Sequence, residues 1–466
     1  MENSKTDAQL VQGTQWSAAT WGLLMIVSGA LFLDGIDLSM VNIALPSIGA
    51  ELKMSTGALQ WIVNAYILGY GGFLLLGGRA ADLLGRRQVF LSAVAIFGVA
   101  SLISAFTDNA LLLIALRFIK GVSAGFTVPA GMSIVTTSFS EGSARNKALM
   151  VYSITGTLGF ALGLVLGGVF TGLGWRATLF MPGPVALLLF FLGLKLIPQA
   201  RKDKVSFSQF DIFGALTMTG ALLLSVYALV EASEKGWTSS STITMLAISL
   251  ALMVAFIFVE LRHRHPLVRL GILRSMSLVH ANISAALILG SFMAFQFLVS
   301  IYLQDSLKWA PFAVALAFLP SSLPVAFFGP KISAYFSSRG NTAPILIGLS
   351  LVSVGYLLLL RIDPASSYWV GLFPTMLLVG FGFAFGLPAI YAQSAEGVQE
   401  VEQGLASGLV NTSFQVGGAI SLAIVAGALS SGKLPVVQGQ LLPNMQSAIL
   451  IFSAIAILGV VLTFPV

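Results

Sequence analysis

The sequence predicts an all-α polytopic membrane protein of about fourteen spans. Composition and one pattern carry this reading. Of 466 residues, 57% are hydrophobic and 9% are charged, whereas soluble domains carry roughly 25% charged residues. Mean hydropathy is +0.93. A soluble fold of this length has no interior able to hide so much apolar surface. The apolar residues also run together, as from Val89 to Phe106 and around Leu222, in stretches approaching the roughly 20 residues a spanning helix needs. In hydrocarbon every backbone polar group must be paired internally, so only helices and closed barrels span. Barrel strands would alternate over about ten residues; these runs do not, and helices are selected.

Spans are expected to begin near Trp21, Leu59, Val89, Ala110, Ala148 and Leu179, then Ile212 and Ile243, then Ser277, Phe312, Ile345, Tyr368, Leu405 and Met445. Loop charge orients them. One set of alternate loops holds Arg79, Arg86 and Arg87; Arg145 and Lys147; Lys195, Arg201, Lys202 and Lys204; Arg262, Arg264, Arg269 and Arg274; Lys331 and Arg339. The opposite set holds Lys53, Arg176, Lys235, Lys308, Arg361 and Lys433. The positive-inside rule puts the first set and both termini in the cytoplasm, and an even span count agrees.

The layout looks doubled. Six spans precede the basic loop at Arg201 and six follow the one at Arg262. This divides the chain into a cytoplasmic segment 1–20, a six-helix bundle 21–198, a two-helix insert 199–276 and a second bundle 277–466. GGRAADLLGRR (77–87) after the second span is echoed by GPKISAYFSSRG (329–340) after the tenth. Repeated halves around a midplane site are the build of secondary transporters.

Several function classes fall away. There is no cysteine, hence neither a disulfide frame nor a thiolate metal site. His263, His265 and His280 are the only histidines, and no metal or other cofactor is expected. The net charge of +6 belongs to the loops and reports topology, not nucleic-acid binding. The first 16 residues are polar, contain Glu2 and Asp7, and are not expected to be a cleaved signal peptide.

Two carboxylates lie deep in the first span, in LFLDGIDLSMVNIALP (31–46). Asp34 and Asp37 are one helical turn apart and share a face. Both sit roughly 20–24 Å along the helix from Trp21. Intramembrane acids face the interior and usually handle protons or ions. The fourth span carries Arg117 and Lys120 in LRFIKGVSAGF (116–126), with Arg117 roughly 10 Å below its outer end. The first-span acids are the obvious partners, either as a static bridge or as a working one. In 77–87, Gly78 and Gly85 permit close helix approach and unusual backbone angles, and Asp82 can cap a helix or pair with Arg86 or Arg87. GTLGFALGLVLGG (156–168) places Gly159, Gly163 and Gly167, followed by Gly168, on a smooth stripe for close packing. The second half has no mid-span carboxylate, Asp305 lying near an outer end. Candidate substrate-facing side chains are Trp61, Asn64 and Tyr66 in the second span, and Gln296, Tyr302, Gln304, Asn411 and Gln415 later. With many Phe residues nearby, they suit an amphipathic or aromatic ligand.

Together these pieces resemble the 14-helix drug:proton antiporter branch of the major facilitator superfamily, from Trp21 to the C-terminus. The matching motifs are Asp37 with Ala44-Leu45-Pro46; Gly78, Asp82, Gly85, Arg86 and Arg87; Arg117 with Gly121; and Gly159, Gly163, Gly167 and Gly168. Asp211, Gly236-Trp237, Glu260 and Pro266-Leu267 match the insert, and GLASGLVNTSFQVGG (404–418) the thirteenth helix. Lys120 stands where the family usually has Gln, Leu164 where many antiporters have Pro, and Asp34 is an additional acid. The resemblance implies a major facilitator fold of two six-helix bundles plus two inserted helices. It also implies a non-enzymatic, multi-pass plasma (inner) membrane protein acting as a monomer. Its partners are then a small-molecule substrate, protons and the lipid bilayer. It implies proton-driven efflux by alternating access; with the intramembrane charges, Asp37, Asp34, Arg117 and Lys120 are then the expected coupling residues, and Asp82 is expected to latch one state. A proton-coupled or facilitative importer of a small metabolite is the nearest alternative. A membrane enzyme or lipid-handling scaffold would need clustered catalytic groups or a soluble domain.

Overall fold

The computed structural model describes residues 16–140, 142–199, 211–263, 266–336, 339–399, 402–430 and 437–463. Arg201, Lys202, Lys204, Arg264, His265 and Lys433 lie outside these ranges, as does most of segment 1–20. The helices, in order, are α1 Ala18–Leu52, α2 Thr56–Leu84, α3 Arg86–Ala105, α4 Ala110–Ser138, α5 Ser143–Leu173, α6 Trp175–Phe180, α7 Pro182–Leu196 and α8 Ile212–Lys235. They continue with α9 Ser240–Arg262, α10 Met276–Ile301, α11 Pro311–Phe336, α12 Thr342–Leu359, α13 Tyr368–Gly371, α14 Phe373–Ala395, α15 Gln403–Ser430 and α16 Met445–Thr463. Among the described residues, fourteen spans are long and apolar enough to cross a membrane.

Local chemistry sets the ends. Ser17, Ser55, Asn109, Asp211, Ser239 and Ser275 each accept from the backbone N–H three residues on, capping α1, α2, α4, α8, α9 and α10. Gly85, at φ 100°, is the single residue between α2 and α3, a conformation that only glycine adopts without strain. Two spans differ from the sequence expectation. The sixth begins at Trp175 and breaks at Met181, because Pro182 has no N–H to continue α6 and opens α7 instead. The twelfth starts with the single turn α13 and becomes continuous at Phe373.

The same pairing scheme occurs twice. In the first half α1 packs on α5 and α2 on α4; in the second α10 packs on α15 and α11 on α14. Small residues bring the backbones together in both. A methyl at Gly163 would lie 2.6 Å from Ile36 Cα, and one at Gly167 would lie 2.8 Å from Met40 Cα. Gly159 faces the Phe32 backbone, and Gly417 meets the Ala286 backbone in the second half. Without a hydrophobic drive between helices in lipid, such contact supplies packing energy that larger side chains would forbid. The close approach of α2 to α4 is made by Gly69, Gly77 and Gly121, which face the carbonyls of Phe118, Gly125 and Tyr66, and not by the expected Gly78, whose nearest contact is at 3.6 Å.

The halves meet along two seams, α2 on α15 and α5 on α11. In the second, Gly168 turns away from α1, and a methyl there would lie 2.7 Å from Phe312 Cα. The insert pair α8–α9 is joined by Ser225 and Ser249, whose hydroxyls are 2.6 Å apart. Helix α8 lies against both α2 and α15, and Thr219 Oγ1 donates to Gly72 O at 3.2 Å. The helix ends nearest the Arg/Lys-rich loops are called the basic end below, and the opposite side the far end. At the far end Arg176 bridges Glu51 and Asp108, and Trp175 Nε1 donates to Glu51 Oε2 at 2.7 Å. This ties α1, α6 and the α3–α4 loop together.

The glycine contacts give a direct test. Gly163→Ala is expected to lower stability by about 1–3 kcal/mol through overpacking. Gly172→Ala, with nothing within 4 Å of the added methyl, serves as the matched control. Thermal unfolding of the detergent-solubilised protein checks this; equal midpoints for the two variants would remove the α1–α5 packing argument.

Candidate functional site

The centre of the first half is a buried charge cluster. Asp37 on α1 pairs through Oδ2 with Arg117 Nη1 and through Oδ1 with Lys120 Nζ, both on α4. All three side chains are fully buried. The arrangement follows from helical spacing: Arg117 and Lys120 are one turn apart on one face, so one carboxylate receives both. Two aromatic faces complete the enclosure. The Arg117 guanidinium lies 4.5 Å from the Tyr66 ring centre, and Lys120 Nζ lies 4.7 Å from that of Phe97. Arg117 Nε also donates to Ile62 O at 2.9 Å, fixing the guanidinium to α2. The cluster therefore joins α1, α2, α3 and α4.

Asp34 is treated differently. It is 7% exposed, and its Oδ2 is buried without a hydrogen-bond partner. Counted as charged groups, two acids balance two bases, but both bases contact the same acid. Gly35, between the two acids, is pressed on α5, where an added methyl would meet Phe160 N at 2.8 Å. This leaves Asp34 and Asp37 little freedom to move apart from their helix.

The other candidates scatter. Tyr66 serves as the ring under Arg117, and Gly121 packs against its carbonyl. Asn64 and Gln296 are fully buried, with no hydrogen-bond partner on either amide atom. Both flank the point where Ile67, Met293 and Gly418 meet across the seam, each about one turn further toward the far end. Trp61 is turned to the insert, its ring 6.0 Å from Tyr227. Gln415 packs its Cβ on Gly71. Asn411 accepts from Tyr391 Oη at 2.8 Å and donates to Ser407 O at 3.0 Å.

Tyr302 and Gln304 belong to a π turn, Tyr302–Ser306, that ends α10. Gln304 Nε2 donates to Ile43 O at 3.0 Å, so it closes the far end between α1 and α10 instead of lining an open cavity. At the basic end Arg87 Nη2 donates to Leu194 O at 2.6 Å. The backbone of Asp82 lies near the end of α2, while its side chain, and with it the capping or pairing expected there, falls outside the described residues.

Two participants were not singled out in the sequence. Ser300 Oγ donates to Asn42 O at 2.9 Å. Gln60 is another fully buried amide without partners. Each has a sequence signal in hindsight, since Ser300 is four residues before Gln304, and Gln60 four before Asn64, on the same helical faces.

The sequence profile of the Major Facilitator Superfamily matches residues 27–422 and, in a second overlapping match, 281–466. The chain belongs to the Major Facilitator Superfamily. Among its relatives, puromycin resistance protein pur8 of Streptomyces alboniger is 36% identical over 414 residues, 87% of this chain and 80% of that protein. Cephamycin export protein CmcT of Amycolatopsis lactamdurans is 32% identical, covering 89% and 86%. The solved structure of the nucleoside transporter NupG superposes with a TM-score of 0.67 at 14% identity, over 96% of this chain and 100% of that one; it shows the fold alone. The superfamily and drug-resistance resemblance read from the motifs therefore stands, and the protein is a membrane transporter of small molecules, not an enzyme.

The charge cluster predicts an unusual order of damage. Asp37→Ala leaves Arg117 and Lys120 facing each other without a counter-ion. It should lose more folded yield than Lys120→Gln, whose removal still leaves Asp37 paired with Arg117. Uncompensated buried charge costs about 3–5 kcal/mol. Adding Lys120→Gln to Asp37→Ala should restore part of the yield, read as the monodisperse fraction after solubilisation. Equal yields for the single variants would show that the bases do not share one acid.

Proposed function

We propose that the protein exports a small hydrophobic or amphipathic compound in exchange for protons, by alternating access. The observation that carries this reading is one carboxylate, Asp37, holding two buried bases, with a second acid one turn away that neither base touches. A proton placed on Asp37 leaves Arg117 and Lys120 as neighbouring uncompensated cations in low dielectric, where repulsion is strong. Asp34, one turn away on the same face of α1, is the other acid of that span. Lys120 then passes from Asp37 to Asp34, and α4 shifts against α1. In this way the extra acid and the extra base, both departures from the family pattern, act as a matched pair. Substrate that binds the two arrangements unequally is thereby coupled to the proton.

In this scheme residues 21–198 and 277–466 rock against one another, with 199–276 as the insert. The closed far end and the hydrogen bonds from Ser300 and Gln304 to α1 support a state that opens toward the basic end. Both termini lie in the cytoplasm and the protein sits in the plasma membrane, as the loop charges support. Names of relatives favour export: pur8 is a resistance protein and CmcT an export protein.

Flux in proteoliposomes under an imposed pH gradient tests the coupling, with puromycin as the first substrate because of the 36% identity to pur8. Asp37→Asn should abolish gradient-driven flux while retaining binding, because the amide mimics the protonated acid. Asp34→Asn should slow flux without abolishing it. Undiminished gradient-driven flux in Asp37→Asn would remove the cluster from coupling, and net movement toward the side of the termini would make the protein an importer. Orientation is checked separately. A reactive site placed at Lys235 should label from outside intact cells, and terminal tags only in inverted vesicles; the reverse pattern would overturn the topology.

A further inference from the structure

Helix α1 contains one proline, Pro46. A proline inside a helix has no N–H, so the carbonyl four residues earlier loses its intrahelical donor. Here that carbonyl belongs to Asn42. It is the atom to which Ser300 Oγ, on α10 in the other half, donates at 2.9 Å. Gln304 Nε2 continues the contact by donating to Ile43 O at 3.0 Å and to Ser300 Oγ at 3.1 Å. Other helix-internal prolines also release carbonyls. Pro129 releases that of Gly125, which faces Gly77 of α2, and Pro324 releases that of Pro320, which faces Gly380 of α14. Those two meet side-chain-free backbone within their own halves, whereas the carbonyl released by Pro46 is bound across the halves.

The surrounding seam explains why such a bond matters. Gln60, Asn64 and Gln296 are fully buried on the same side of the molecule, with all their amide atoms unpartnered. Burying polar groups without partners opposes closure, and water relieves the cost on opening. The closed far end is thus held by few directional bonds against groups that favour water. Against them, the bond from Ser300 favours closure by the net worth of one hydrogen bond, because the Asn42 carbonyl has no helix donor and on opening exchanges Ser300 for water.

We infer that Pro46 creates the acceptor of the far-side gate: the carbonyl of Asn42, released from α1, is the latch that Ser300 grips when the far end is closed, while Gln304 braces Ser300 and holds the neighbouring Ile43 carbonyl. The inference rests on the alternating-access reading. It makes Pro46 a positioning residue for transport that touches neither substrate nor proton.

The chain has no cysteine, so one engineered thiol reports cleanly. In a Gln60→Cys background, the rate of modification by a membrane-impermeant maleimide added at the far side measures how often that end opens. Pro46→Ala restores an N–H that competes for Asn42 O, and Ser300→Ala removes the donor. Each should raise the rate about fivefold, the weight of one hydrogen bond, and the double variant should match the singles, because both remove the same bond. A rate unchanged by Pro46→Ala but raised by Ser300→Ala overturns the role of the proline. If Pro46→Ala does not fold, an unchanged rate in Ser300→Ala alone overturns the latch, and a raised one supports it. Gradient-driven puromycin flux is measured on the same preparations. Loss of proton coupling in the parent with the labelling contrast intact refutes coupled export and leaves the latch standing.

Discussion

Hydrocarbon donates and accepts no hydrogen bonds, and that constraint governs where most polar groups among the described residues sit. The backbone meets it by being helical across fourteen spans. The charged side chains meet it by converging: Asp37, Arg117 and Lys120 are fully buried, with both bases paired to the one carboxylate and each lying over an aromatic face. Exposed ionic contacts such as Arg176 with Glu51 stay at the far end, where water weakens them to about 0–1 kcal/mol. Depth thus separates the two kinds of ion pair. The outer one braces a loop, and the inner one joins four helices, so that losing a member leaves a buried charge without its partner.

The same constraint decides how much was legible in the sequence. Span existence, the insert and the glycine stripe of α5 follow from hydropathy and residue size, which lipid makes nearly deterministic. The convergence of Asp37 with Arg117 was foreseeable, because two opposite charges at one depth have few alternatives. What one chain could not show was which acid the bases choose. Asp34 and Asp37 share a face, and only the rotation of α1 against α4 puts both bases on Asp37. The surroundings of Trp61 and Gln304 were not legible for a related reason. Periodicity tells that a side chain faces inward but not whether its neighbour is a cavity, the insert or the opposite half. The break at Pro182 was visible as a proline, yet a short helical turn before it has no hydropathic signature.

The duplicated pairing scheme distributes labour unevenly. Both halves use glycine to weld their first and fifth members, α1 with α5 and α10 with α15. In the described residues, however, the deep ionic cluster belongs to the first half, while the second offers amides, hydroxyls and phenylalanines. Gln296 sits among such apolar neighbours as Phe292 and Phe295, and Asn411 is held by Tyr391. Among the described residues, one half is organised around charge and the other around polarizable surface.

The position of α8 has a lateral consequence. Because it rests on α2 and α15 together, and is stitched to Gly72 by Thr219, it roofs one of the two seams between the halves. The opposite seam, α5 on α11, carries Gly168 and the proline-rich α11, and among the described residues no helix packs across it in this way. The perimeter presented to the bilayer is therefore one-sided. A solute dissolved in the acyl chains meets a sealed wall on one flank and a bare two-helix joint on the other, so the molecule has a front and a back within the plane of the membrane.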